Sequence, residues 1–309
     1  MSELIIKVLH PLKPFFEKEG LVEICINREK EVWCETRSGW ERHEVPELTL
    51  AALLQMSKVI AGERGQQFNQ RTPRLSTTIP GYGYRIQVNA YEMVETGIAI
   101  SIRVGAAQRF PLEGYMDAGA CRTVIQAVTV GRTILVVGGT SSGKTTLMNS
   151  LLTHIPDDQR IITVEDSREL VIDQPNHLPF MKSKTGSGMA ATSYKEIIND
   201  TNRHRPSRII LGELDIENTI PFLRLINTGH AGCMATLHAN GPMEAIEALL
   251  MNAQMDGAQN PDAIRAYIMK AVDLIVHIRR VEGEAGQRAR FVASVFDVKD
   301  QDFVRSEAA

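Results

Sequence analysis

Apolar positions in the first hundred residues fall in short runs, not long stripes. Residues 22–26 and 31–35 are two such runs, the first with the partial alternation of a half-buried strand. Residues 50–61 place Leu50, Leu53, Leu54 and Ser57 near one face of a helix. Further strands are expected at 74–79, 84–89 and 97–104, with Pro80-Gly81-Tyr82-Gly83 turning between the first two. The pattern predicts a small α+β domain over residues 1–105. Gly105-Ala106-Ala107-Gln108-Arg109, small and polar with Pro111 close behind, opens a linker assigned to 106–120.

The rhythm then changes to strand, helix, strand, the signature of a parallel sheet with helices packed on it. Residues 133–137, 160–164, 208–211 and 233–237 read as buried strands. Residues 216–226 carry Ile216, Ile220, Leu223 and Ile226 at helical spacing. Asn240-Gly241-Pro242 and Asn260-Pro261 each set a capping residue and a proline at a helix start. Residues 274–279 and 291–298 read as a hairpin or a pair of edge strands around Gly283 and Gly286. The whole of 121–309 is thus expected to form one α/β domain. Residues 182–188 form a polar, glycine-containing loop, and no internal repeat is present.

Within this frame the most informative stretch is Gly138-Gly139-Thr140-Ser141-Ser142-Gly143-Lys144-Thr145, set between an apolar strand and a helix that runs on from Thr146. Strand, glycine-rich turn and helix is the context in which G-x-x-x-x-G-K-[ST] cradles a nucleoside triphosphate. The glycines bring backbone N–H groups close to phosphate, and the helix start adds partial positive charge. Lys144 can reach the β- and γ-phosphates, and the Thr145 hydroxyl can ligate Mg²⁺. Three more polar groups stand where strands are expected to end, the edge at which open parallel sheets bind ligands. Glu213 follows 208–211 and could orient water or hold Mg²⁺. Glu165 and Asp166 follow 162–164; neighbours on a strand face opposite ways, and Glu165 is the one assigned to the cation. His230 and His238 flank one strand and can bond a phosphate oxygen or a carboxylate.

Composition narrows the partners. Of 309 residues, 43% are hydrophobic and 23% charged, an ordinary globular balance. The formal net charge of −3, from 34 basic and 37 acidic residues, gives no general attraction to nucleic acid or acidic lipid. The four cysteines, Cys25, Cys34, Cys121 and Cys233, form no C-x-x-C pair and are expected to be reduced, buried or half-buried thiols. The first residues do not read as a signal peptide, and no apolar run reaches the ~20 residues of a membrane span. A cytoplasmic protein is expected, with any membrane association peripheral.

Four motifs in one order resemble the Walker A, Asp box, Walker B and His box of the secretion-traffic ATPases: 138–145, Thr163-Val164-Glu165-Asp166, Leu211-Gly212-Glu213, and Asn227-Thr228-Gly229-His230 through Thr236-Leu237-His238-Ala239-Asn240. That family powers type II and type IV secretion, conjugation and pilus movement. Glu23 to Arg28, Glu31-Val32-Trp33, Arg85-Ile86-Gln87 and Ser101-Ile102-Arg103 resemble its conjugation and type IV secretion branch, which includes TrbB-type ATPases. The resemblance implies a RecA-like P-loop NTPase domain behind the smaller α+β domain. It also implies ATP and Mg²⁺ as cofactors, and a homohexamer at the cytoplasmic face of the inner membrane, working with other secretion ATPases and inner-membrane components. By motif position, Arg85 and Arg103, and Arg203 and Arg205 near Walker B, match arginines that reach phosphate from outside the core. RecA-like ATPases also include nucleic-acid motors; the acidic balance argues against direct nucleic-acid binding, a basic ring lumen being the exception. A platform that binds ATP and hydrolyses it slowly is the other alternative. Two departures bear on that. Ser141 stands where relatives commonly have Gly, which suits a serine if φ is negative. Asp215 stands where they commonly have Arg, which puts the arrangement behind Glu213 in question.

Overall fold

A computed structural model describes residues 2–36, 39–104, 109–182, 192–227, 229–230, 232–281 and 290–304. Most of the expected 105–109 linker segment, most of the 182–188 loop, Thr228 of the His box, and Gly283 and Gly286 lie outside the described residues. The chain divides into two compact units. One is Met1–Ala106 with Asp166–Arg168 and Met181–Thr192; the other is Ala107–Glu165 with Glu169–Phe180 and Ser193–Ala309.

The N-terminal unit contains α1 (Glu3–Leu9), α2 (Lys13–Phe16), β1 (Leu21–Ile26), β2 (Glu31–Thr36), β3 (Gly39–Glu44), α3 (Leu50–Glu63), β4 (Arg74–Thr78), β5 (Arg85–Ala90) and β6 (Ile98–Arg103). The strands form one antiparallel sheet in the order β3-β2-β1-β6-β5-β4. Its period-2 apolar face, with Ile24, Ile26, Val88, Ile100 and Ile102, packs with Leu53, Met56 and Ile60 of α3 in a single core. Ser57 joins that buried helix face by donating its hydroxyl to Leu53 O at 2.8 Å. β3 was not expected: Trp40, Glu41, Arg42 and His43 lack an apolar face because it is an edge strand.

The larger unit continues with α4 (Ala118–Val130), β7 (Ile134–Gly138), α5 (Lys144–Leu152), β8 (Ile161–Glu165), β9 (His177–Met181), α6 (Tyr194–Arg203), β10 (Arg208–Leu211), α7 (Ile216–Ile226), β11 (Met234–His238), α8 (Pro242–Met255), α9 (Pro261–Ala271), β12 (Leu274–Val281), β13 (Arg290–Asp297) and β14 (Asp302–Phe303). The sheet order is β14-β13-β12-β7-β11-β10-β8-β9. β8, β10, β11, β7 and β12 run parallel, and β13 and β14 turn antiparallel. Successive residues enter opposite cores: Leu135 and Val137 pack on one side with α6 to α9, and Ile134 and Val136 on the other with α4 and α5. A sheet covered on both faces explains why its strands read as continuous apolar runs.

Residues 109–120, expected as linker, instead bring Leu112, Tyr115 and Met116 into the second of these cores, and Asp117 caps α4 by accepting from Gly119 N and Ala120 N. The 274–279 strand is β12, an interior strand hydrogen-bonded to β7 as well as to β13, so it is not an edge. Asn240 does not cap α8; the N-cap is Gly241, with no side-chain bond, whereas Asn260 does cap α9, accepting from Ala263 N at 3.0 Å.

Candidate functional site: the loop between β7 and α5

β7 is buried along its whole length and delivers the chain to Gly138 at the carboxyl edge of the sheet. A Cβ at Gly138 would lie 2.5 Å from Ile278 O and 2.5 Å from Ser142 Oγ, so only glycine fits. α5 starts at Lys144 behind Gly143, whose φ of +88° again requires glycine, and no side chain caps that end. The first-turn N–H groups are therefore left for an anion. Lys144, itself buried, folds back so that Nζ donates to Gly138 O at 3.0 Å and Gly139 O at 2.7 Å. Thr140 and Ser141 are exposed, and Thr145 and Thr146 are half-buried on the first turn of α5. Ser141 has φ +56°, so the condition under which a serine sits there without strain is not met; it occupies a left-handed position in the loop. Ser142 Oγ is buried and has no hydrogen-bond partner. A lysine poised over glycine-rich backbone and an uncapped helix start both fit a polyanionic nucleotide tail.

Two strand-end residues meet Lys144. His238, the last residue of β11, lies beside Gly138 in the β11–β7 register. Its Nδ1 is 3.2 Å from Lys144 Nζ, and its Nε2 is 3.0 Å from Glu213 Oε1. The partners fix the tautomer. An ammonium can only donate, so Nδ1 accepts, and Nε2–H donates to the carboxylate. Lys144, His238 and Glu213 thus form one hydrogen-bonded line across the carboxyl ends of three strands or their extensions. Glu213 is held from behind: Asn218 Nδ2 donates to Glu213 O at 2.9 Å, and Asp215 Oδ1 accepts from Glu217 N at 2.9 Å and Asn218 N at 3.2 Å. Asp215 therefore serves as the N-cap of α7 in a reciprocal box with Asn218, which sequence reasoning missed although the Asp-x-x-Asn spacing carried the signal.

The remaining candidates fall into different places. Glu165 is buried, and its Oε1 accepts from Glu169 N at 2.9 Å and Leu170 N at 2.8 Å, so it secures the turn after β8. Asp166 belongs to the N-terminal unit, where it ion-pairs with Arg85 at 3.3 Å. Arg85 and Arg103 are register partners on β5 and β6, side by side on one sheet face. Arg203 ends α6 and Arg205 precedes β10, both exposed, at the amino edge of the sheet opposite the glycine loop. His230 precedes β11 and lies at that same far edge, a strand length of ~3.3 Å per residue away from His238. Within one chain, then, Arg203, Arg205 and His230 are not brought to the loop. Among the described residues no group of three or more His, Cys, Asp or Glu could hold a metal ion. The four cysteines are free thiols; Cys233, fully buried, has its pKa pushed up to about 12 by burial. No helix among the described residues is long and apolar enough to cross a membrane.

A parallel sheet covered on both faces, with a lysine-bearing glycine loop at its carboxyl edge and a carboxylate two strands away, defines a P-loop NTPase. More specifically, the chain belongs to the Type II/IV secretion system protein family, whose model matches residues 41–303. It is 33% identical to the type IV secretion system protein VirB11 of Bartonella henselae, with 91% of this chain and 90% of that protein aligned. It is 32% identical to the type IV secretion system protein PtlH of Bordetella pertussis, with 91% of each covered. Among solved structures it resembles the VirB11 ATPase of the Brucella suis type IV secretion system, in complex with sulphate, at 27% identity and TM-score 0.52 over 96% of this chain and 95% of that one. The fold is shared with the Legionella pneumophila ATPase DotB, at 17% identity and TM-score 0.66 over 97% of this chain and 83% of that one.

Proposed function

We propose that this protein is a traffic ATPase whose hydrolysis of ATP powers assembly of, or substrate transfer through, a type IV secretion or conjugation system. The observation that carries the reading is the line Lys144–His238–Glu213 beside an uncapped helix start. The family and its named relatives support the cellular role; the motif residues support the chemistry. On binding, the loop amides and Lys144 take the phosphates, Lys144 exchanging its carbonyl partners for phosphate oxygens. Thr145 and Glu213 would hold Mg²⁺, with Glu165 setting the turn beside them; a cation held there would supply charge neutralisation to the phosphates. Glu213 orients the attacking water, and His238 reports its position to Lys144. Arg85 and Arg103 are proposed as further electrostatic helpers.

A homohexamer is proposed from the family. It gives Arg203 and Arg205 a use their own chain does not, as groups offered to a neighbouring copy. Peripheral attachment at the cytoplasmic face of the inner membrane, beside other secretion ATPases, completes the reading. The test is phosphate release by the purified full chain. Lys144→Ala should lower the rate ~10²–10⁴-fold; an unchanged rate would refute the assignment.

A further inference from the structure

A cavity of ≈ 320 Å³ adjoins the outer side of the glycine loop. Loop residues Gly139 to Ser142 form one wall, with neither Lys144 nor Thr145 among the lining residues, and Asn240 with His277, Ile278, Arg279 and Arg280 of β12 form the rest. It shares the loop with the phosphate cradle and extends from it toward Asn240 and β12. Its volume is at the lower end of the ~300–1,000 Å³ range of small-molecule sites.

The wall chemistry suits a flat heterocycle and a sugar more than a second phosphate. β12 runs beside β7, and His277 is the register partner of Val137, so the strand carries Arg279 and Arg280 past the loop. Neighbours on a strand point to opposite faces. His277 is half-buried and Ile278 is buried in the α5-side core, so the two exposed arginines leave the sheet edge on either side. A guanidinium is planar and weakly hydrated and stacks on π faces. Asn240, just past β11, offers an amide donor and acceptor to a base edge. Ser142, only 6% exposed, lines the cavity with an Oγ that has no partner, as a ribose hydroxyl or ester oxygen would satisfy.

We infer that Arg279 and Arg280, with Asn240 and Ser142, form the subsite that holds the base and ribose of the nucleotide. The inference rests on the ATPase reading above. β12 then serves as the recognition strand of the domain, and its arginines set nucleotide affinity, not turnover.

The experiment is calorimetric titration of the full chain with two probes, a non-hydrolysable ATP mimic and inorganic tripolyphosphate, which has the anion but no nucleoside. The double variant Arg279→Lys, Arg280→Lys keeps the charge and removes the planar faces. It should weaken the ATP mimic roughly 10-fold, the scale of one base-stacking contact, and leave tripolyphosphate unchanged. Arg279→Ala with Arg280→Ala should weaken the mimic at least as much, with KM raised and kcat retained. Equal losses for both probes would make the arginines a diffuse charge patch and overturn the inference, as would unchanged affinity for the mimic. Wild-type chain that binds tripolyphosphate as tightly as the mimic would overturn this subsite alone. Wild-type chain that binds neither probe would overturn the ATPase reading along with it.

Discussion

His238→Ala separates the two jobs that meet at one imidazole. Lys144 Nζ donates to Gly138 O, Gly139 O and His238 Nδ1 at 3.0, 2.7 and 3.2 Å. Removing the ring takes one acceptor from the lysine, so it leaves for phosphate at slightly lower cost, and nucleotide affinity should be unchanged or rise up to about threefold. Glu213 loses the N–H that holds Oε1 at 3.0 Å. A hydrogen bond to a charged group is worth ~1.5–3 kcal/mol net. The side chains here are 47% and 32% exposed, so solvent screening brings the contribution to roughly 1–2 kcal/mol. If that order at Glu213 is needed in the transition state, kcat should fall about 5- to 30-fold. Phosphate release measured across ATP concentration gives both constants. A kcat within twofold of wild type would show that the His238–Glu213 bond has no part in hydrolysis. A KM that rises as kcat falls would show instead that the imidazole holds substrate and not the carboxylate.

Glu213→Gln keeps the bond from Asn218 to the backbone and removes the charge, so nucleotide binding should persist while turnover drops ~10²-fold or more, read by fluorescent-nucleotide binding beside phosphate release. Ser141→Gly relieves a left-handed serine, a gain of ~1–2 kcal/mol, against ~0.4–1 kcal/mol of added unfolded-chain entropy; chemical denaturation should show net stabilisation, and a loss above about 1 kcal/mol would refute the strain. Asp215→Ala removes the α7 cap and should cost ~1 kcal/mol, a melting-temperature drop of about 2–4 °C, together with some turnover through Glu213. Burial lowers the pKa of His154 and of His277 from 6.5. Below that value the unfolded chain binds more protons than the folded one, so stability is full above about pH 6.5 and falls as pH drops toward the folded values. His154→Gln should flatten the decline in melting temperature between pH 7 and pH 5; an equally steep decline would show that His154 takes no part.

Sequence carries local pattern well and long-range pairing poorly, and the site shows both. β7, β8, β10 and β11 were legible because strands buried on two faces are unbroken apolar runs, and the glycine loop because its backbone must accept φ values and close contacts that only glycine allows. Glu213 and His238 could be set at strand ends by counting. Their contact could not, because it depends on β11 lying between β7 and β10, an order fixed by crossovers whose partners are far apart in sequence. β3 went unread because it is an edge strand with no face to bury, whereas α6 did carry a signal, with Tyr194, Ile197 and Ile198 on one face behind a Ser193–Glu196 capping box.

Strand direction decides which motif neighbours share a site. Arg203, Arg205 and His230 sit within a few residues of motif strands, yet they enter β10 and β11 at the amino edge, whereas Glu213 and His238 leave at the carboxyl edge. Closeness in sequence to a nucleotide motif therefore says little until the sense of the strand is known. β12 makes the converse point. Read as part of a terminal hairpin, it offered no chemistry. Hydrogen-bonded in parallel to β7, it ends at the same edge as the glycine loop, and Arg279 and Arg280 reach a cavity more than 130 residues further along the chain than the loop that forms its other wall. The residues that choose a nucleotide need not lie near those that grip its phosphates in sequence; they need only leave the sheet at the same edge.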